Sequence, residues 1–160
     1  MCKVTAVRVQ DEIRQRRPFP SVAQEAMVAL MRTADLVRRH ASALLEPHGL
    51  TLQQYNVLRI LRGAGADGLP TLEIADRMIE RTPGITRLLD RLEAKELVRR
   101  QRCPKDRRQH LCWATPKALA ILQKIDAPAM RQAEETMKGL RHKDRETFVG
   151  LLDAVRAAHR

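Results

Sequence analysis

From Ser21 to His48 apolar residues return every three or four positions, at Ala23, Ala26, Leu30, Ala34, Val37, Ala41 and Leu44. That spacing predicts one long helix capped by Ser21 and stopped at His48-Gly49. Met27, Met31, Leu36 and Leu45 widen the apolar surface beyond what one neighbouring helix covers, so a second chain is expected to bury the rest. Thr51-Leu-Gln-Gln54 reads as a capping box that opens a helix through Tyr55, Leu58 and Leu61, ending at Gly63. The run GAGADGLP breaks the chain, and Thr71 starts a short helix with Glu73 in its first turn and Leu72, Ala75 and Met78 available for the core.

The next stretch, TPGITRLLDRLEAKE, places Ile85, Leu88, Leu89 and Leu92 at i, i+3, i+4 and i+7, with Thr82 as cap and Pro83 at the first helical position. Pro83, Thr86, Arg87, Asp90 and Ala94 then fall on the opposite stripe, which is small, polar and partly cationic. Two helices joined by a turn of a few residues make a helix-turn-helix. Leu97 to Arg102, a turn over Cys103 to Arg108, and a returning strand from Gln109 to Thr115 follow at once as a hairpin, or wing. Beyond Pro116 the pattern is helical again, with a kink or break expected at Pro128, a turn at Gly139 to His142, and a last helix from about Lys143. The fold class is therefore mainly α with a small β-hairpin wing. It divides into an arm at 1–20, a winged helix-turn-helix reader at 49–115, and flanking helical regions at 21–48 and 116–160. The flanking regions are expected to dimerise through Leu30, Val37, Phe148, Leu151, Leu152 and Val155.

Aromatic residues make up only 2% of the chain, which points to packed helices and not to a sandwich or barrel. A formal charge of +11 favours polyanionic partners. Between Arg81 and Arg108 ten basic residues face four acidic ones, so a surplus of six, over half the net charge, sits on the reader. A phosphate footprint is the better reading of that concentration, with a solvated charged face as its bland alternative. The arm carries five basic and two acidic residues, and is either a solvated tail or an extra contact to DNA backbone or a partner subunit. No apolar run approaches the roughly 20 residues that span a bilayer, and the first twenty residues lack the apolar segment of a secretory signal. A cytoplasmic protein with no membrane partner is expected.

ITRLLDRLEAKELVRR, DRR in the wing and the AT-P-K that opens the next helix resemble the multiple-antibiotic-resistance regulator (MarR) family, over residues 22 to 158. The resemblance implies a homodimer of winged helix-turn-helix subunits on double-stranded DNA. Its operator would be palindromic, and it would usually act as a repressor released by a small-molecule effector or by thiol oxidation. Carried over by motif, residues Pro83 to Lys95 would lie in the major groove, with Gly84 allowing close backbone approach and Arg91 and Lys105 adding to the footprint. Arg107 would reach the minor groove, and Asp106 and Arg108 would hold the wing's shape or touch phosphate. Arg87 is the candidate for a bidentate base contact or a phosphate contact, with Thr86 available for a thymine methyl or a phosphate. Asp90 would orient Arg87. An apolar effector pocket near Met31 and Tyr55 is implied by the resemblance alone.

Two positions depart from the family pattern. Glu96 stands where members usually carry glycine, so the cap after the recognition helix is either strained by about 1 kcal/mol or replaced by another turn. Trp113 occupies a strand position where a basic or small residue is common, and is expected to pack against the wing's flank. Cys103 is the candidate for a redox-responsive alternative, while Cys112 should pack in the strand. Three cysteines without CxxC spacing suggest no disulfide framework or zinc site, so no metal and no cofactor are expected. Without a P-loop, dinucleotide motif or Ser-His-Asp order, enzymatic function is not expected. Architectural DNA binding without sequence readout is the main alternative function.

Overall fold

The computed structural model describes residues 7–81, 83–103 and 109–159. Among the described residues seven α-helices run in order: α1 Val9–Glu12, α2 Val22–Leu45, α3 Leu52–Ala64, α4 Thr71–Arg77, α5 Ile85–Ala94, α6 Pro116–Thr136 and α7 His142–Ala157. Three strands, β1 Leu69–Pro70, β2 Val98–Arg102 and β3 His110–Ala114, form an antiparallel sheet of order β1-β3-β2. The chain forms two compact units, one from His40 to Ala129, the other from the two ends, up to Arg39 and from Met130.

The central unit holds the core. Every buried hydrophobic among the described residues lies between Leu45 and Ile125. Val57, Leu58 and Leu61 on α3, Leu88, Leu89 and Leu92 on α5, and Ala118, Leu122 and Ile125 on α6 join Val98 and Cys112 of the sheet in one cluster. Such burial supplies about 25 cal/mol per Å² of apolar surface removed from water. The Thr51–Gln54 capping box is present in both directions, at 3.2 Å each way, and starts α3 where the sequence places it. An Arg62–Asp126 pair at 2.8 Å fastens α3 to α6.

Some expectations need correction. The break at GAGADGLP contains a third strand, because Leu69 pairs with Cys112 and Pro70 with Leu111. Leu72 is 76% exposed, and Ile74 takes the core position on α4, with Met78 four residues on packed beside it. Pro128 does not break α6, which continues to Thr136.

In the terminal unit, Gln24 N–H donates to Ser21 Oγ at 3.2 Å, the expected cap of α2. The arm includes the short α1 and is fixed to α2 by Arg8–Glu25 at 2.9 Å and Glu12–Arg32 at 2.8 Å. No residue of α7 is buried, and the one buried residue of α2, Leu45, belongs to the central unit. Among the described residues no helix is long and apolar enough to cross a membrane.

Candidate nucleic-acid interface

The site is built around α5, whose ends are fixed by two left-handed residues. At the N-terminus Gly84 adopts φ 91°, and Leu88 N–H donates to its carbonyl at 3.2 Å. A residue with that φ cannot belong to a right-handed helix, so Pro83 is not the first helical residue and α5 begins at Ile85. The helix is accordingly shorter than the expected Pro83 to Lys95. Thr82, proposed as its cap, lies outside the described residues.

At the C-terminus Glu96 takes φ 59°. Leu97 N–H donates to Leu92 carbonyl at 2.9 Å and Glu96 N–H to Glu93 carbonyl at 2.8 Å, the paired bonds of a Schellman cap. Leu92 and Leu97 are both buried in the shared core, completing the apolar contact of that motif. Of the two outcomes open to Glu96, the left-handed one is adopted. It is held from outside: Thr115 Oγ1 donates to its carbonyl at 2.8 Å, and Lys117 Nζ to its carboxylate at 2.9 Å. The hydrogen bond from Lys117 holds the Glu96 carboxyl below its usual range, with charge attraction adding to it. Lys95 ties the same end to α3, donating to Gly49 carbonyl at 2.7 Å and to Gln54 Oε1 at 3.4 Å.

Between these ends one stripe is core and the other is open. Leu88, Leu89 and Leu92 are buried, whereas Pro83, Gly84, Thr86, Arg87, Asp90, Arg91 and Ala94 are exposed. Asp90, expected to orient Arg87, is instead engaged by Arg100 of β2, Nη2 to Oδ1 at 2.6 Å. Arg100 Nε also donates to Glu93 Oε2 at 2.8 Å, and its Nη2 reaches the same oxygen. Hydrogen bonding to Glu93 raises the already high Arg100 pKa; partial burial opposes this and the bond to Asp90 reinforces it. Sequence alone does not show this brace, because it joins an i, i+3 acidic couple on the helix to a side chain on the following strand. Arg100, Arg99 and Lys95, counted toward the phosphate footprint, all have internal contacts.

Arg99 stacks on Trp113, its guanidinium carbon 4.4 Å from the ring centroid, and Trp113 Nε1–H donates to Ala66 carbonyl at 2.9 Å. The tryptophan thus packs on the wing's flank as expected. It explains Gly68: with φ 67°, a Cβ there would lie 2.5 Å from the Trp113 ring. In the hairpin β2 and β3 pair from Val98↔Ala114 to Arg102↔His110, and Cys103 N–H donates to Gln109 carbonyl at 2.9 Å. Lys105, Asp106, Arg107 and Arg108 lie outside the described residues. Cys112 is buried, and that burial pushes its thiol pKa up, while Cys103 is half-buried.

The residues assigned to dimerisation belong to the terminal unit. Leu30, Val37, Leu151 and Val155 are exposed, and Phe148 and Leu152 are half-buried. Of the two pocket residues, Met31 is exposed in the terminal unit, while Tyr55 packs against the core of the central one with Arg59 over its ring at 5.8 Å. Among the described residues no group of three or more His, Cys, Asp or Glu is placed to hold a metal ion.

The profile of the MarR family matches residues 50–110 of this chain. The uncharacterized HTH-type transcriptional regulator YwoH of Bacillus subtilis is 31% identical over 116 residues, covering 72% of this chain and 82% of that protein. The crystal structure of a MarR transcription factor from Planctomyces limnophilus is 34% identical, with a TM-score of 0.66 over 86% of this chain and 99% of that one. Sco3205 of Streptomyces coelicolor, a MarR family transcriptional regulator solved in complex with DNA, shares the fold at a TM-score of 0.77 and 21% identity, covering 90% and 92% of the two chains. With the winged helix-turn-helix in place and these likenesses over most of its length, the chain belongs to the MarR family of DNA-binding transcriptional regulators.

Proposed function

We propose that this protein is a homodimeric, sequence-specific repressor that works in the cytoplasm on a palindromic operator and is released by a small-molecule effector. The observation that carries the reading is the exposed stripe of α5, where Thr86, Arg87 and Arg91 stand clear of the core on a helix fixed at both ends. A helix so presented fits a major groove, and Arg87 has the fork geometry to take a guanine edge. The exposed bases Arg81 and Arg102, together with the basic residues Lys105, Arg107 and Arg108 in the sequence, would supply a charge field for the phosphates. We place Arg107 in the adjacent minor groove, where concentrated negative potential favours an inserted arginine.

Dimerisation rests on the ends of the chain. Met27 is 64% exposed, Met31 59% and Leu151 61%, and the terminal helices contribute almost nothing to the buried core of one chain. Apolar surface on that scale is best explained by a second copy. A two-fold dimer then implies inverted half-sites about 10 bp apart, centre to centre. Family membership supports release by an effector.

Selection of duplexes from a random pool by the purified protein tests the reading. Enrichment of an inverted repeat is expected. Recovery of unrelated sequences bound as tightly as the starting pool would leave the architectural alternative in its place.

A further inference from the structure

We propose that Arg100 is a positioning residue for DNA reading: from the wing strand it sets the azimuth of the recognition helix and neutralises the one acidic group on its reading stripe. The inference deepens the sequence-specific reading above and rests on it.

Arg100 sits in the middle of the β2–β3 ladder, opposite Cys112, so its backbone is held on a paired strand. From there its guanidinium reaches two carboxylates one turn apart on α5, Asp90 at 2.6 Å and Glu93 at 2.8 Å. Its side chain is only 21% exposed, which limits screening by solvent and salt. A tether off the axis of a helix resists rotation about that axis, and a second one nearly a turn along the same face also resists tilting. Rotation matters because neighbouring residues on a helix differ by about 100° in direction, so a small turn moves Arg87 off a base edge. The charge effect acts alongside. Asp90 shares the stripe with Thr86 and Arg87, and an unpaired carboxylate there would repel phosphate. The planar guanidinium can serve both acids at once, which a lysine ammonium of equal charge does less well.

The test measures affinity of the full-length protein for its selected duplex and for a random duplex of equal length, with thermal stability followed in parallel. The proteins compared are wild type, Arg100→Lys and Arg100→Met. Arg100→Lys keeps the charge, so its affinity for random DNA should stay within about twofold of wild type, while its preference for the selected duplex falls about tenfold, the size of one lost base contact. Arg100→Met should lose the preference and bind both duplexes more weakly; adding Asp90→Asn should restore random affinity without restoring the preference. A purely structural role would lower stability and both affinities together, leaving their ratio intact. An unchanged preference in folded Arg100→Lys overturns the inference, whereas a wild type that shows no preference overturns the sequence-specific reading itself.

Discussion

At the scale of single residues, Glu96 makes the most specific demand. Its φ of 59° suits glycine, so Glu96→Gly should raise stability by about 1 kcal/mol as the backbone strain is relieved, measurable as a higher urea midpoint. Glu96→Gln keeps the strain and removes only the exposed ion pair with Lys117, so it should change stability little at neutral pH. Because the folded carboxyl is held below its usual range, the pair's contribution is present above the normal carboxylate range and disappears as pH falls through the depressed value. Any stability gap between wild type and Glu96→Gln should therefore close as pH falls from neutrality through and below the ordinary carboxylate range. A gap that widens on acidification would contradict the sign of that shift. Departure from the family's glycine was visible in the sequence; the identity of the groups holding Glu96, Thr115 and Lys117, was not, since they lie about twenty residues along the chain.

Among the elements, the wing depends on a close fit between Trp113 and the loop before β1. Gly68→Ala puts a methyl against the indole at a position already left-handed, and should destabilise the protein by about 1–3 kcal/mol. Trp113→Phe forfeits the bond to Ala66 and should cost about 1 kcal/mol. Thermal melts of both variants check these values, and an unaltered Gly68→Ala melt would mean that the loop moves aside freely. The strand this loop leads into shows where sequence reading ends. Periodicity located α2, α3 and α5, because each repeats its pattern over several turns. A two-residue strand has no period, and Leu69–Pro70 is legible only through its partners Cys112 and Leu111. The start of α5 departs from the sequence expectation for a related reason: proline is favoured at the first helical position, but the conformation of Gly84 moves the boundary two residues on. Leu72 lies outside the core, against the sequence expectation: a seven-residue helix shows too few turns for its buried face to be chosen by pattern alone.

The molecule as a whole is a reader with a well-filled core and ends that lack one. Charged substitutions at Leu30 and Leu151, made together, should yield monomers in analytical ultracentrifugation and lower operator affinity by more than tenfold, because linked half-sites lose their avidity. A double variant that stays dimeric would place the subunit contact elsewhere. In the proposed reading, net charge and DNA preference are separable at this scale: the first would set the salt slope, and the second would depend on a few side chains on α5. The decisive measurement is the affinity of wild type and Arg87→Ala for the selected operator and a random duplex across a salt series. Arg87→Ala is expected to lose about 1–3 kcal/mol of preference for the operator, with the salt slope reduced by no more than about one unit. A uniform loss on both duplexes, with preference intact, would show that Arg87 serves only the phosphates and would contradict the reading face assigned to α5.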